Sequence, residues 1–346
     1  MDPAGDPFEI LYARGVTDGL PVVPPTRERV AAAVAAAGRP SDALVALVPP
    51  NFGRATVEKI AVNAVMAGCR PEYMPVVIAG VEAMCDDAFD LHGVSATTNS
   101  AAPLFIVNGP IRTRLEINAG AGVFGPGHRA NATIGRALRL IVRNLGGAAA
   151  GGITMSTMAH PGYFTYCIAE REEESPWPPL SVRQGFAAGD STVSVFAGYA
   201  PQVVYDHQSH RGEDLLVTLV NSLAVMSHHK STHHGDTLLV VSPEHAQLLA
   251  GDGWDPDRMR VFLWERLRKP VKDLIPGVNG GEGLPARVLA KFPDPSTDET
   301  LIAKVREPQN FKFLVAGGTA GRFTAVVAGW TFSKMSRMVT RRIDVH

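Results

Sequence analysis

The chain has 346 residues, 45% hydrophobic and 19% charged, with 34 glycines and 26 prolines, a balance that buries a large core and excludes a disordered or low-complexity protein. Its net charge is −1, and the basic residues are not gathered into runs interleaved with aromatics, which argues against nucleic acid as a partner. No apolar run approaches the roughly 18 to 20 residues that span a bilayer, so no membrane partner is expected. The opening MDPAGDPFEILYARG lacks the basic-then-apolar order of a secretory signal, so a cytoplasmic location is expected.

Along the chain, helix and strand signals alternate. Thr26 is placed to cap a helix over about 27–37, closed by Gly38 and Pro40. Thr56 caps a second, with Glu58 in its first turn, Ile60, Ala64 and Ala67 on one face, and Gly68 at its end. A third begins near Arg70 and runs to about Asp86; Pro71 and Pro75 fit only its first turn, where backbone N–H groups lack partners. Strands are expected over 103–108, 193–197, 203–205, 237–241 and 311–316. Between them, helices are expected near 131–145, 212–226, 243–250 (capped by Ser242) and 256–268 (capped by Asp255). Residues 270–300 have the composition of a long ordered loop, and no internal repeat is visible. This order predicts a layered α/β fold with a mixed sheet or sheets, built as one large unit or as two tightly packed lobes of about 1–185 and 186–346.

Residues 118–137, NAGAGVFGPGHRANATIGRA, place Gly120, Gly122 and Gly125 in the G-x-G-x-x-G spacing of a dinucleotide site. In that fold the first glycine ends a strand and the helix starts inside the motif. Here GPIRTRLEINAG separates the strand from Gly120, Pro126 and Gly127 precede the helix, and residues 137–155 contain no acid to hold a ribose. A dinucleotide site is therefore not expected. An anion pocket is the alternative: N–H groups around Gly125 and Gly127 lead into a helix N-terminus flanked by His128, Arg129 and Asn131, a setting for a carboxylate or phosphate. The bland reading is that these glycines permit tight packing and Arg129 pairs with an acid elsewhere.

Three cysteines without a C-x-x-C pair make no disulfide framework. Cys69 falls in the corner between two expected helices, beside the N-terminus of the second and next to Arg70, an environment expected to lower its thiol pKa. Cys85 reads as apolar filler, and whether Cys167 meets Cys69 in space is left open. Six histidines fall between 207 and 234. His207 with His210, and His229 with His233, have spacings compatible with ligands on a helical turn, and Asp206 or Asp236 would add an oxygen. His92 and His160 stand in loops rich in Gly, Ser and Thr, where general acids and bases often sit.

Five stretches carry a resemblance: DGLPVVPPT (18–26), TVEKIAVNAVMAGCRPEYMPVV (56–77), GVFGPGHRANATIGRALRL (122–140), HPGYFTYCIAEREEESPW (160–177) and LLVVSPEHAQLLAGDGW (238–254). Over nearly the whole chain they are similar to a largely uncharacterised bacterial family associated with small UGSC or CGSC selenoprotein and thioredoxin-like neighbours. The resemblance implies a small selenol or thiol redox protein as partner. The chain itself contains no U-G-S-C or C-G-S-C, so such a motif would lie on another subunit.

The expected activity is that of a small-molecule enzyme with an anionic carboxylate or phosphate substrate, held by Gly125, Gly127, Arg129, Asn131 and Arg70. Cys69 acts as thiolate nucleophile or electron-relay thiol and His128 or His160 moves a proton, in a reductive or lyase cleavage. This mechanism needs no cofactor. One alternative is a hydrolase or lyase using a divalent metal on His207, His210, His229 and His233. The other is a non-catalytic substrate-binding subunit of a redox complex. An oligomer is expected in each case.

Overall fold

The computed structural model describes residues 5–232, 235–330 and 336–344. The chain opens with α1 (Pro7–Ala13) and α2 (Arg27–Ala36), then the hairpin of β1 (Leu44–Val48) and β2 (Gly53–Thr56), then α3 (Val57–Ala67), α4 (Met74–Met84) and α5 (Leu91–Ala96). There follow β3 (Ala102–Asn108), α6 (Ile111–Arg114), α7 (Arg129–Asn144), β4 (Cys167–Ala169), α8 (Leu180–Arg183), β5 (Thr192–Gly198) and β6 (Gln202–Tyr205). Next come α9 (Gly212–Val225), β7 (Thr237–Val241), α10 (Pro243–Gly251) and α11 (Pro256–Arg266), then a small pair of β8 (Arg268–Pro270) and β9 (Leu301–Ala303) with α12 (Ala286–Leu289) between them. The last strands are β10 (Phe311–Val315), β11 (Phe323–Ala328) and β12 (Val339–Arg342).

Local signals account for most helix starts. The side chains of Thr26, Thr56, Ser242 and Asp255 accept the early N–H groups of α2, α3, α10 and α11, and Gly68 closes α3 in the left-handed region at φ 93°. The third helix starts later than expected, because Pro71–Tyr73 forms a 3-10 turn ahead of α4.

Two four-stranded sheets pack face to face. One has the order β4-β3-β5-β12 and the other β10-β7-β11-β6. Side-chain alternation sorts their residues: Leu104, Ile106, Phe196, Leu238, Val240, Leu314 and Val327 fill the layer between the sheets. The odd neighbours face outward, Phe105 and Val107 against α3, α4 and α7, and Leu239, Val241 and Phe313 against α9, α10 and α11. Strands covered on both faces read as continuous apolar runs, which is why β3, β5 and β7 were visible in the sequence. The resulting four layers, helix, sheet, sheet and helix, bear out the layered α/β expectation.

The two sheets are copies of one another. Each has a parallel pair, Ile106 beside Ile168 and Val240 beside Leu314. Each continues antiparallel, Ile106 beside Ser194 and Val240 beside Ala325. The fourth strand of each unit leaves home: β6 follows β5 but pairs with β11, and β12 follows β11 but pairs with β5. Gly198 and Gly329, at matching positions in Ala197-Gly198-Tyr199 and Ala328-Gly329-Trp330, bridge to each other where the units cross. Close approach demands glycine there, since a Cβ on Gly329 would lie 1.9 Å from the Asp236 carbonyl oxygen. The repeat was invisible in the sequence because only the strand positions match, while the connecting helices and loops differ in length. β5, beyond the expected lobe limit near 185, completes the first sheet, and β12 returns to it from the chain's last residues.

Candidate functional site

At the carboxyl ends of β3, β4 and β10 lies a polar crevice of about 400 Å³, the place where open α/β sheets receive ligands. Three segments line it: Arg112, Glu116 and Gly120 after β3, Arg171 and Glu173 after β4, and Thr319 after β10. Arg171 Nη1 donates to the Gly317 carbonyl and Thr319 Oγ1, both at 3.1 Å, tying the β4 exit to the β10 exit. Arg112 is held by Glu173, at 2.9 Å from Nη2, and approaches Glu172 at 3.3 Å from Nε.

Beneath the crevice is a buried polar cluster. Asn108 Nδ2, at the end of β3, donates to Glu170 Oε2 at 2.6 Å and to Glu172 Oε1 at 2.9 Å. Glu170 Oε2 also accepts the Leu180 amide at 2.7 Å, and Glu172 Oε1 the Gly109 amide at 2.6 Å. Glu170, Asn108 and Thr192 are fully buried. Among the described residues, Glu170 Oε1, Asn108 Oδ1, Thr192 Oγ1 and Arg183 Nη1 are buried without a hydrogen-bond partner. Burial pushes the Glu170 carboxyl up to about 7, against the opposing pull of Arg183, Asn108 and the Leu180 amide. At neutral pH this group is poised between its two protonation states. Hydrogen bonds run from it through Asn108 to Glu172, which lies beside Arg112 on the crevice wall.

The residues expected from sequence lie elsewhere. Arg129 gives Nε and Nη2 to the Gly68 carbonyl at 3.1 and 3.0 Å, so its guanidinium caps the end of α3. Asn131 is buried and braces the Asn118 backbone, accepting its amide at 2.8 Å and donating to its carbonyl at 3.0 Å. Gly125, Gly127 and His128 are exposed, and Arg70 is an exposed side chain 3.9 Å from Glu72. Of the three glycines in the motif, Gly120 lines the crevice.

The expectation of a lowered Cys69 pKa is overturned. Its amide bonds to the Ala64 carbonyl, placing it at the carboxyl end of α3, where the dipole disfavours an anion. Burial pushes its thiol up to about 12, with a hydrogen bond to the Thr133 side chain and the charge of Arg129 only partly opposing. Burial raises Cys167 to about 12 as well, and Cys69 lies near enough to add to that shift. Cys85 is likewise pushed up by burial.

His160 sits at the opposite end of β3 from the crevice, edge-on to Tyr163 and Tyr166 at 5.5 and 5.4 Å. Its Nδ1 accepts the Gly162 amide at 3.1 Å, and burial lowers its pKa. His92 is exposed on α5. His207 stacks on Tyr205, His229 packs against His228, and His210 is exposed. Among the described residues no group of three or more His, Cys, Asp or Glu is placed to hold a metal; His233 lies outside them. Asp206 is occupied in a turn, where hydrogen bonds from Thr218, Ser209 and Gln208 bring its carboxyl down to about 2 against the effect of burial. Asp236 is buried, accepting from Asn310 Nδ2 at 3.0 Å and the Met338 amide at 2.8 Å.

Sequence reasoning passed over Asn108, Glu170 and Thr192 because Glu170 opens the run EREEE, which reads as a solvated charged face. The available signal was that Glu170 directly continues the apolar Tyr166-Cys167-Ile168-Ala169, so that strand geometry carries its side chain into the core. Comparison with family models, curated proteins and solved structures finds no match for the chain.

Proposed function

We propose that the chain is an enzyme of small-molecule metabolism that takes a small anionic substrate into the crevice at the ends of β3, β4 and β10, whose acidic and basic wall is positioned from beneath by Glu170. The carrying observation is an internal comparison. In the second unit the positions of Asn108, Glu170 and Thr192 hold Ser242, Ala316 and Phe323, by the matching strand registers. The same sheet ends are thus built without a buried acid. A carboxyl buried with unpaired neighbours opposes folding, and a fold that does without it in one copy does not require it in the other. Arg112 and Arg171 enter from different segments, positioned by ion pairs with Glu172 and Glu173 and with Glu174, and an anionic substrate would share their guanidinium groups with these acids. Glu170 is a positioning residue: Asn108 Nδ2 donates to Glu170 and Glu172 together, and so fixes Glu172 beside Arg112. This reading favours proton-transfer chemistry, of the lyase or isomerase kind, over a thiolate mechanism.

The test is a thermal-shift and NMR screen of small carboxylates and phosphates against the native chain and Arg171→Ala. A ligand that stabilises the native chain and loses its effect in Arg171→Ala supports the crevice, and Glu170→Gln should bind that ligand but fail to turn it over. Ligands whose binding ignores Arg171→Ala would place the site elsewhere.

A further inference from the structure

A second, smaller cavity of about 60 Å³ opens on the outer side of the second unit, between the end of α9, the end of α11 and the β8–β9 pair. Its walls divide by chemistry. Leu267, Leu274 and Ile302 give it an apolar body, while Arg268, Lys269 and Lys304 bring positive charge to the same space. Lys304 is 8% exposed. Its Nζ is fixed by the carbonyls of Met226 and His228 at 3.1 and 2.9 Å and by Ser231 Oγ at 3.1 Å. These are dipoles and not a countercharge. Arg268 is held in place with its guanidinium 3.7 Å from the Trp264 ring centroid.

What is missing is the anion. Arg266 at the rim reaches Glu213 at 3.5 Å, but among the described residues Arg268, Lys269 and Lys304 form no ion pair. Burial, with Lys269 close by, lowers the Lys304 ammonium to about 8. His229, on the same wall, is lowered by burial and by the charges of His228, Lys269 and Lys230. A buried cation normally carries a paired acid, since its desolvation is otherwise uncompensated.

We propose that this cavity binds a small organic carboxylate with a short apolar body, its carboxylate on Lys269 and Arg268 in the field of Lys304, whose three N–H donors are already taken, and its body against Leu267, Leu274 and Ile302. An inorganic oxyanion needs donors on every side, whereas half of this wall is hydrocarbon that a methylene chain covers favourably. A cavity of about 60 Å³ restricts the occupant to a few heavy atoms. The site lies on the outer helix layer, shares no lining residue with the crevice, and goes beyond the function proposed for it.

Calorimetric titration of the full chain with propionate, inorganic phosphate and propanol tests the proposal. Propionate should bind saturably, with phosphate and propanol at the same concentration failing to displace it. The double variant Arg268→Gln, Lys269→Gln should weaken propionate by about tenfold or more while remaining folded, and should do so equally in an Arg171→Ala background, where the crevice no longer holds a carboxylate. Lys304→Met should abolish binding; because its ammonium also braces the 226–231 loop, the double variant decides if that protein does not fold. Absence of saturable propionate binding, equal or tighter binding of phosphate, or an unchanged affinity in the double variant overturns the site.

Discussion

Glu170 and Ala316 occupy the same position in the two units of the fold. The Glu170 amide donates to the Val107 carbonyl at 3.2 Å, as the Ala316 amide donates to that of Val241 at 3.0 Å. Each residue leaves a parallel edge strand beside an equivalent central strand. One side chain is a methyl and the other a buried acid, so the two backbones are held alike while the shared position carries different chemistry.

The acid leaves a mark on stability. Its folded value of about 7 lies above the free glutamate value of about 4.3, so between those limits the folded chain binds more protons than the unfolded one. Its contribution is therefore fully present below the lower limit and is lost as pH rises to the upper one, by roughly 3 kcal/mol in all. Glu170→Gln removes this dependence. Urea denaturation at pH 5 and pH 8 should show the native chain losing stability relative to the variant by about 2 kcal/mol or more; parallel behaviour of the two proteins would mean that Glu170 ionises normally.

Cys69 should be a slow nucleophile. With its thiol raised to about 12 by burial, the thiolate is a trace species at pH 7. Iodoacetamide at that pH should label Cys69 no faster than an unstructured thiol, with full labelling after denaturation. Peptide mass spectrometry reads this directly. Rapid, selective labelling of Cys69 would return the thiol-linked mechanism to first place.

The crossing point of the two units should tolerate no side chain. In Gly329→Ala the new Cβ meets the backbone oxygen of Asp236 at 1.9 Å, while in Gly198→Ala it meets the Val327 side chain at 2.7 Å. A side chain can turn aside and a carbonyl in a sheet cannot. Gly329→Ala should cost upward of about 3 kcal/mol and Gly198→Ala less, as measured by chemical denaturation; the reverse order would show that the crossing is not the tight point.

Limited proteolysis should cut first in the exposed loop around residues 276–283 and leave one large core. Release of two stable halves by cleavage near 180–190 is not expected, because β3, before that limit, pairs with β5, after it, in one sheet. Two such halves would refute the interlocked arrangement.

Much of the architecture was legible because local chemistry wrote it. Thr26, Thr56, Ser242 and Asp255 mark helix starts by hydrogen bonds within a few residues, and β3, β5 and β7 are apolar throughout because both faces are covered. β12 was hidden because Val339-Thr340-Arg341-Arg342 is an edge strand whose pairing with β5 is a long-range event. The site was misread for a related reason. Arg129 has the charge and position for an anion site, but its distant partner, the Gly68 carbonyl, decides its role. Cys69 has the right neighbour in Arg70 but the wrong end of a helix, and Glu170 was concealed in a run of charges whose other members are half-buried or exposed. Composition reports how many charges a segment carries; only the strand it continues reports where the first one points.

Exchange of the last strands also constrains how the chain can be made. Synthesis delivers β3, β4 and β5 long before residues 339–342, so the free edge of β5 waits, unpaired, until those residues have emerged from the ribosome. Likewise β6 is produced early but finds its partner β11 more than a hundred residues later. Neither unit can close its sheet alone, and the open edges are surfaces on which nascent chains associate wrongly.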